Sequence, residues 1–263
     1  MSIHVALVAE ILDRHCLKPV VGQLGAANAM LMDAGYASHE EPAEGSLDRS
    51  DERCALRTID PVWLECLQRF RAHMIHDPDC TPKPMPPVCD AEPHDDGVLD
   101  QVLERPGGCR SHLLCHAPEG IFVPVAFDEP LYDVHNSVPG GWLGSSQMLL
   151  EEMVAMSPLL GINLRPLRGR GSLRLGGGFD ISDQTAAAIN QLAEEANGIA
   201  TGAGSPRDAP DADAAGSGHA AGYRFQELST REPFWRERIV WLLLYETARR
   251  SVQHGTAIVL MPK

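Results

Sequence analysis

Lysine is almost missing from this chain: of 22 basic residues only Lys18, Lys83 and Lys263 are lysines, and arginine supplies the rest. Basic charge as a whole is short, 22 residues against 36 acidic ones, which leaves a formal net charge of −14. A surface of that sign repels phosphate backbones, so it argues against nucleic-acid binding and for a basic protein partner. Aromatic residues make up only 5% of the sequence, so the core is expected to be aliphatic. No run reaches the roughly 18 uninterrupted apolar residues of a membrane helix. The start, MSIHVALVAEILDRHC, lacks the basic flank and long apolar stretch of a secretion signal. The seven cysteines include no CxxC pair. Reduced thiols and a cytoplasmic location are therefore expected. Neither a phosphate-binding GK[ST] loop nor a G-x-S-x-G nucleophile turn occurs.

What is present is enough apolar material for a core: 44% of 263 residues are hydrophobic. The acidity is uneven. Up to Glu104 there are 19 acidic and 8 basic residues, and from Arg105 onward 17 and 14. Three parts follow. Residues 1–76 read as an acidic helical part, 77–97 as a proline-rich linker or loop, and 98–263 as an α/β core with a flexible insertion at 197–222. The insertion has almost no apolar bulk and cannot belong to a core.

Spacing of apolar residues predicts helices over Ile3–Arg14, Val20–Asp33, Pro61–Ile75, Ser145–Met156, 183–196 and Pro233–Val252. Gly35 and Gly255 stand where helix C-caps need a left-handed residue. Ser111–His116 alternates like a strand, Ile121–Phe127 is β-branched and aromatic, and Pro118 and Gly120 lie between them. Together they predict an antiparallel hairpin at 111–127. Thr256–Met261 reads as a buried strand of the same sheet. The expected fold class is α+β, a small mixed or antiparallel sheet packed with several helices.

The stretch from Ser111 to Gly161 is also densest in groups capable of chemistry. His112 and His116, with Cys115, are residue types that ligate zinc. On a strand, however, the two histidines lie roughly 13 Å apart and Cys115 faces the other way. Asp128 and Glu129, with Glu119 and Asp133, could serve a histidine in acid–base catalysis, or simply solvate a loop. The glycine-rich turn Pro139–Ser146 reads as a helix cap.

The segments HLLCHAPEGIFVPVAFDEPL, GGWLGSSQMLLEEM and FWRERIVWLLLYETARRSVQHGTAIVLM resemble bacterial cytoplasmic proteins of the toxin-immunity type. The resemblance covers roughly residues 111–161 and 233–261. It implies a binding protein without an active site or cofactor, whose protein partner is a cognate cationic toxin. The partner-binding acids are then expected in the polar 39–52 stretch: Glu40, Glu41, Glu44, Asp48, Asp51 and Glu52. The alternative reading is a hydrolase, zinc-dependent in one version, using His112, His116, Asp128 and Glu129.

Overall fold

A computed structural model describes residues 2–12, 17–43, 47, 52–54, 56–79, 82–83, 97–105, 109–115, 119–135, 137–166, 179–200 and 233–263. Eight short strands and seven α-helices are placed among them. The central strands are β1 (Ile3–Leu7), β3 (Gly120–Val123), β5 (Trp142–Ser145) and β8 (Ile258–Pro262). With β2 (Thr58–Ile59) and β4 (Leu131–Tyr132) they form a six-stranded sheet in the order β2-β1-β8-β3-β5-β4. β3 and β5 run parallel and the other pairs antiparallel, so the sheet is mixed, as the α+β reading requires. A separate pair, β6 (Leu164–Pro166) and β7 (Phe179–Ile181), is antiparallel.

Both faces of the large sheet are covered, and the two-residue period of its strands shows how. Ile3, Val5, Leu7, Phe122, Ile258 and Leu260 pack into one apolar cluster. Ala6, Ile121, Val123, Ala257 and Val259, their neighbours in the same strands, pack into another. Successive side chains of a strand point to opposite faces, so each strand feeds two cores. The first core takes α3 (Pro61–His76), α5 (Ser146–Met156), α6 (Asp183–Ala200) and α7 (Trp235–His254). α2 (Leu17–Asp33) closes the second through Val20, Ala27 and Leu31. Short helices α1 (Val8–Leu12) and α4 (Val98–Leu103) complete the set.

α7 is the axis of the first core. Trp241 is fully buried and stacks on Tyr245 with ring centroids 4.7 Å apart. Its indole N–H donates to the Met153 carbonyl at 2.7 Å, so its one polar atom is satisfied inside the core. Several expected helix ends also appear. Asp60 accepts from the Val62 amide ahead of Pro61, Ser145 accepts from the Met148 amide, and Gly255 adopts φ 66° at the C-cap of α7.

Two expectations are corrected. Ile3–Arg14 begins as a strand, because β1 lies between β2 and β8 and is buried on both faces; among the described residues of this range only Val8–Leu12 is helical. The 111–127 hairpin does not form. Residues 112–114 make a turn, closed by the Cys115 amide donating to the Ser111 carbonyl at 3.3 Å, and β3 pairs instead with β8 and β5. β1 and α3, from the acidic N-terminal part, share this sheet and core with the C-terminal elements. Most of the proline-rich 77–97 stretch, and the insertion from 201 onward, lie outside the described residues.

Candidate functional site

The turn at 111–115 is where the sequence concentrated its chemistry, and the surrounding elements consume those groups. His112 is fully buried. Its Nδ1 accepts the Ser145 amide at 2.9 Å, which fixes the neutral tautomer with the proton on Nε2. Burial drives its pKa down to about 4, against a weaker upward pull from the Asp128 and Phe127 backbone and the Asp128 charge. Glu152 in α5 accepts the Ser111 hydroxyl at 2.5 Å and the His112 amide at 2.6 Å, and Arg71 donates to it at 3.2 Å. Burial pushes the Glu152 pKa up, while Arg71 and these hydrogen bonds oppose the rise.

Of the other candidates, only Asp128 reaches this histidine, through its backbone and its charge. Asp128 and Glu129 are exposed, and Glu129 pairs with exposed Arg110 at 3.0 Å. Asp133 is buried and acts as a loop clamp, accepting amides from His135 at 2.9 Å, Val138 at 2.7 Å and Ser137. Burial works to raise its pKa, but the three amides outweigh that and hold it below the ordinary value. His116 lies outside the described residues. Among the described residues no three His, Cys, Asp or Glu side chains are grouped to hold a metal ion. A cleft of about 560 Å³ opens elsewhere, between α6 and the start of α7, lined by Ile162, Thr185, Leu192, Glu195 and Arg238.

The acids expected to bind a partner separate into different environments. Glu40 is exposed. Glu41 is turned inward, accepting the Ala257 amide at 2.8 Å, the Thr256 hydroxyl at 2.6 Å and His39 Nε2 at 2.7 Å. Glu52 lies against Arg57 and 3.5 Å from buried Arg250. Glu44, Asp48 and Asp51 lie outside the described residues.

Charge is sorted between inside and outside. Among the described residues fourteen carboxylate side chains are exposed, against five basic ones: Lys83, Arg105, Arg110, Arg165 and Lys263. The remaining described arginines are half-buried or buried. Arg250, 3% exposed, reaches Glu10 at 2.9 Å; Arg53 reaches Asp180 at 2.6 Å; Arg249 reaches Glu246 at 2.9 Å. Burying an unpaired arginine is prohibitive, and these three each bring a carboxylate partner with them. The outer surface keeps an excess of acids. Reading the sequence from 39–52 alone misses Asp100 and Glu104 at α4, Glu119, and Glu194 and Glu195 on α6, all exposed. The last two were legible in principle, since they sit between Ala193 and Ala196, which face the core.

No curated protein and no solved structure matches the chain. A family model does, over residues 1–197 and 188–260, and the family is described as "Putative DNA-mimic protein". This match overturns the resemblance to toxin-immunity proteins, and with it the cognate toxin as partner and the hydrolase alternative. Setting nucleic acid aside is corrected on the same ground, since the family's description relates its members to DNA. With all but the last few residues matched, the chain belongs to this family of DNA-mimic proteins.

Proposed function

We propose that this protein occupies the DNA-binding surface of a DNA-binding protein by presenting carboxylates where that surface expects phosphates. The observation that carries the reading is the sorting of charge, fourteen exposed carboxylates against five exposed cations. Duplex DNA holds one negative charge per roughly 1.7 Å of axis, and its binders meet it with clustered Lys and Arg. A rigid protein with outward acids and inward arginines meets the same clusters without offering base edges to read. Contact residues are proposed at exposed Glu40, with Glu44, Asp48 and Asp51 of the same stretch, while Glu41 and Glu52 hold that stretch from behind. The residues up to Glu104, which carry 19 acidic against 8 basic residues, are proposed as the principal contact region. No helix among the described residues is long and apolar enough to cross a membrane. The cytoplasm, where a bacterial genome lies, is the proposed location.

Competition tests the reading. Host DNA-binding proteins, recovered on immobilised duplex, are offered to this chain in the presence and absence of free duplex. Capture that free duplex abolishes, and that weakens steeply with salt, is the expected result. Simultaneous binding of chain and duplex to the same partner would exclude the proposal. Charge-reversing Glu194 and Glu195 together, or Asp100 and Glu104 together, should lower affinity and flatten the salt dependence.

A further inference from the structure

Four cysteines among the described residues are free, and they fall into two environments. Cys54 and Cys66 are 2% and 1% exposed, and burial pushes both thiols up to about 12. Such thiols are inert toward oxidants, because the thiolate is the reactive form. Cys109 and Cys115 differ. They bracket the turn that carries Ser111 and His112, and the turn folds them together. The Cys115 thiol donates to the Cys109 carbonyl at 3.5 Å. The Cys109 sulfur in turn faces the Ser111 carbonyl at 3.9 Å. Cys109 is half-buried and open to solvent on one side, whereas Cys115 is 7% exposed.

We propose that Cys109 and Cys115 form a peroxide-sensing dithiol, oxidised to an intramolecular disulfide across the 109–115 turn. The accessible Cys109 sulfur attacks one oxygen of hydrogen peroxide, breaking the O–O bond; it becomes a sulfenic acid and the released hydroxide leaves as water. The Cys115 sulfur, held against the Cys109 backbone at the other end of the turn, then displaces the hydroxyl from Cys109, forming the S–S bond and releasing a second water. Two thiols lose two electrons and two protons, and one peroxide is reduced to two waters. Support for the order of events comes from the thiols themselves. The hydrogen bond from Cys115, stronger in effect than partial burial, holds Cys109 down to about 7, while Cys115 is pushed far up by the same contact and by burial. A reactive, reachable sulfur thus stands beside a protected one that can only resolve it. The bridge would close the loop whose Ser111 hydroxyl and His112 amide Glu152 holds in place.

Tryptic mapping of the full-length protein after hydrogen peroxide treatment tests this, with Cys54 and Cys66 as internal controls. Arg110 lies between the two cysteines, so the disulfide must join two tryptic peptides, with the loss of two hydrogens and with recovery on reduction. The peptide that contains Cys109 also contains Cys80 and Cys89, so a C80S/C89S variant is mapped alongside. The expected result is a linked pair in the wild type and in C80S/C89S, and complete loss of the link in C109S and C109A, each checked for an unchanged melt. A link that survives in C109S overturns the proposal. So does over-oxidation of Cys109 to sulfinic acid with Cys115 still a free thiol, or failure of both to react.

Discussion

The carboxylate of Glu152 accepts the backbone amide of His112 at 2.6 Å, across a sequence separation of 40 residues. The imidazole of the same histidine accepts the amide of Ser145, the N-cap of the helix that carries Glu152. Side chain and main chain of His112 are thus both fastened to one helix, the first at its N-cap and the second further along it. A reactive-looking segment is thereby spent as a joint between the sheet and α5.

Removing that carboxylate should be costly. Glu152→Ala leaves the Ser111 hydroxyl, the His112 amide and Arg71 without their shared acceptor, in a buried setting. Breaking a buried pair by deleting one partner typically costs about 3–5 kcal/mol. Glu152→Gln keeps an oxygen for the His112 amide and should cost clearly less. Urea midpoints of the two variants check the ranking; equal losses would mean that the charge, not the acceptor, holds the turn.

The pH dependence of stability carries two opposing signatures. Burial raises Glu152, Glu237 and Glu246, so the folded state takes up their protons more readily than the unfolded chain. Their contribution is full below the ordinary glutamate range and is lost as pH rises through their raised values. His112 acts the other way. With a folded value near 4, it binds its proton more weakly than in the unfolded chain, so stability is lost as pH falls from about 6.5 toward 4. His112→Ala should remove the acid-side loss. It should also lower stability at pH 7 by about 1–3 kcal/mol, because the buried Ser145 amide loses its acceptor. Urea melts across pH 4–8 measure both effects, and an unchanged acid limb in the variant would refute the assignment.

How much of this was legible in the sequence depends on where each instruction is written. Helices α3, α5 and α7 carry theirs locally, in Pro61 after Asp60, in Ser145, and in Gly255, so their ends could be placed. β1 could not, because Val5, Val8 and Ile11 fit a helical spacing equally well and the strand is buried on both faces, which erases the alternation. The turn at 111–115 reads locally as a strand, with His112 and Leu114 on one side and Leu113 and Cys115 on the other. What bends it is a carboxylate about forty positions later, and no local pattern reports that. The net charge was plain from composition. Its sorting was not, because Arg250 looks like any helix-terminal cation until Glu10, 240 residues away, is seen to receive it.

Gly140 offers a sharper local test. It adopts φ 71°, and a Cβ built there collides with the Glu119 carbonyl oxygen. Gly140→Ala therefore faces both backbone strain and a backbone clash, and should lose about 1–3 kcal/mol. Gly22 and Gly25 in α2 have open space around them and ordinary helical backbone. Alanine at either should stabilise by about 0.5–1 kcal/mol, since glycine loses more entropy in a helix. Thermal melts of the three variants should separate them by sign, and a stabilising G140A would show that the 139–141 turn can relax.

Two neighbouring glutamates separate surface from framework within one dipeptide. Glu41 bonds the Ala257 amide and the Thr256 hydroxyl, tying the 39–41 segment to the turn between α7 and β8. Glu40 is exposed beside it. Glu41→Ala should cost about 1–3 kcal/mol, because it leaves a fully buried amide unsatisfied. Glu40→Ala should stay within about 0.5 kcal/mol of wild type, as isolated surface changes do. If the outward acids stand in for phosphates, the order reverses for affinity. Glu40→Ala should weaken the DNA-competed complex and lessen its salt dependence, because one charge fewer is neutralised at the interface. Melting curves and salt-titrated affinities, measured on the same two variants, keep the roles apart. A Glu40→Ala protein that binds as tightly as wild type at every salt concentration would remove this residue from the contact surface.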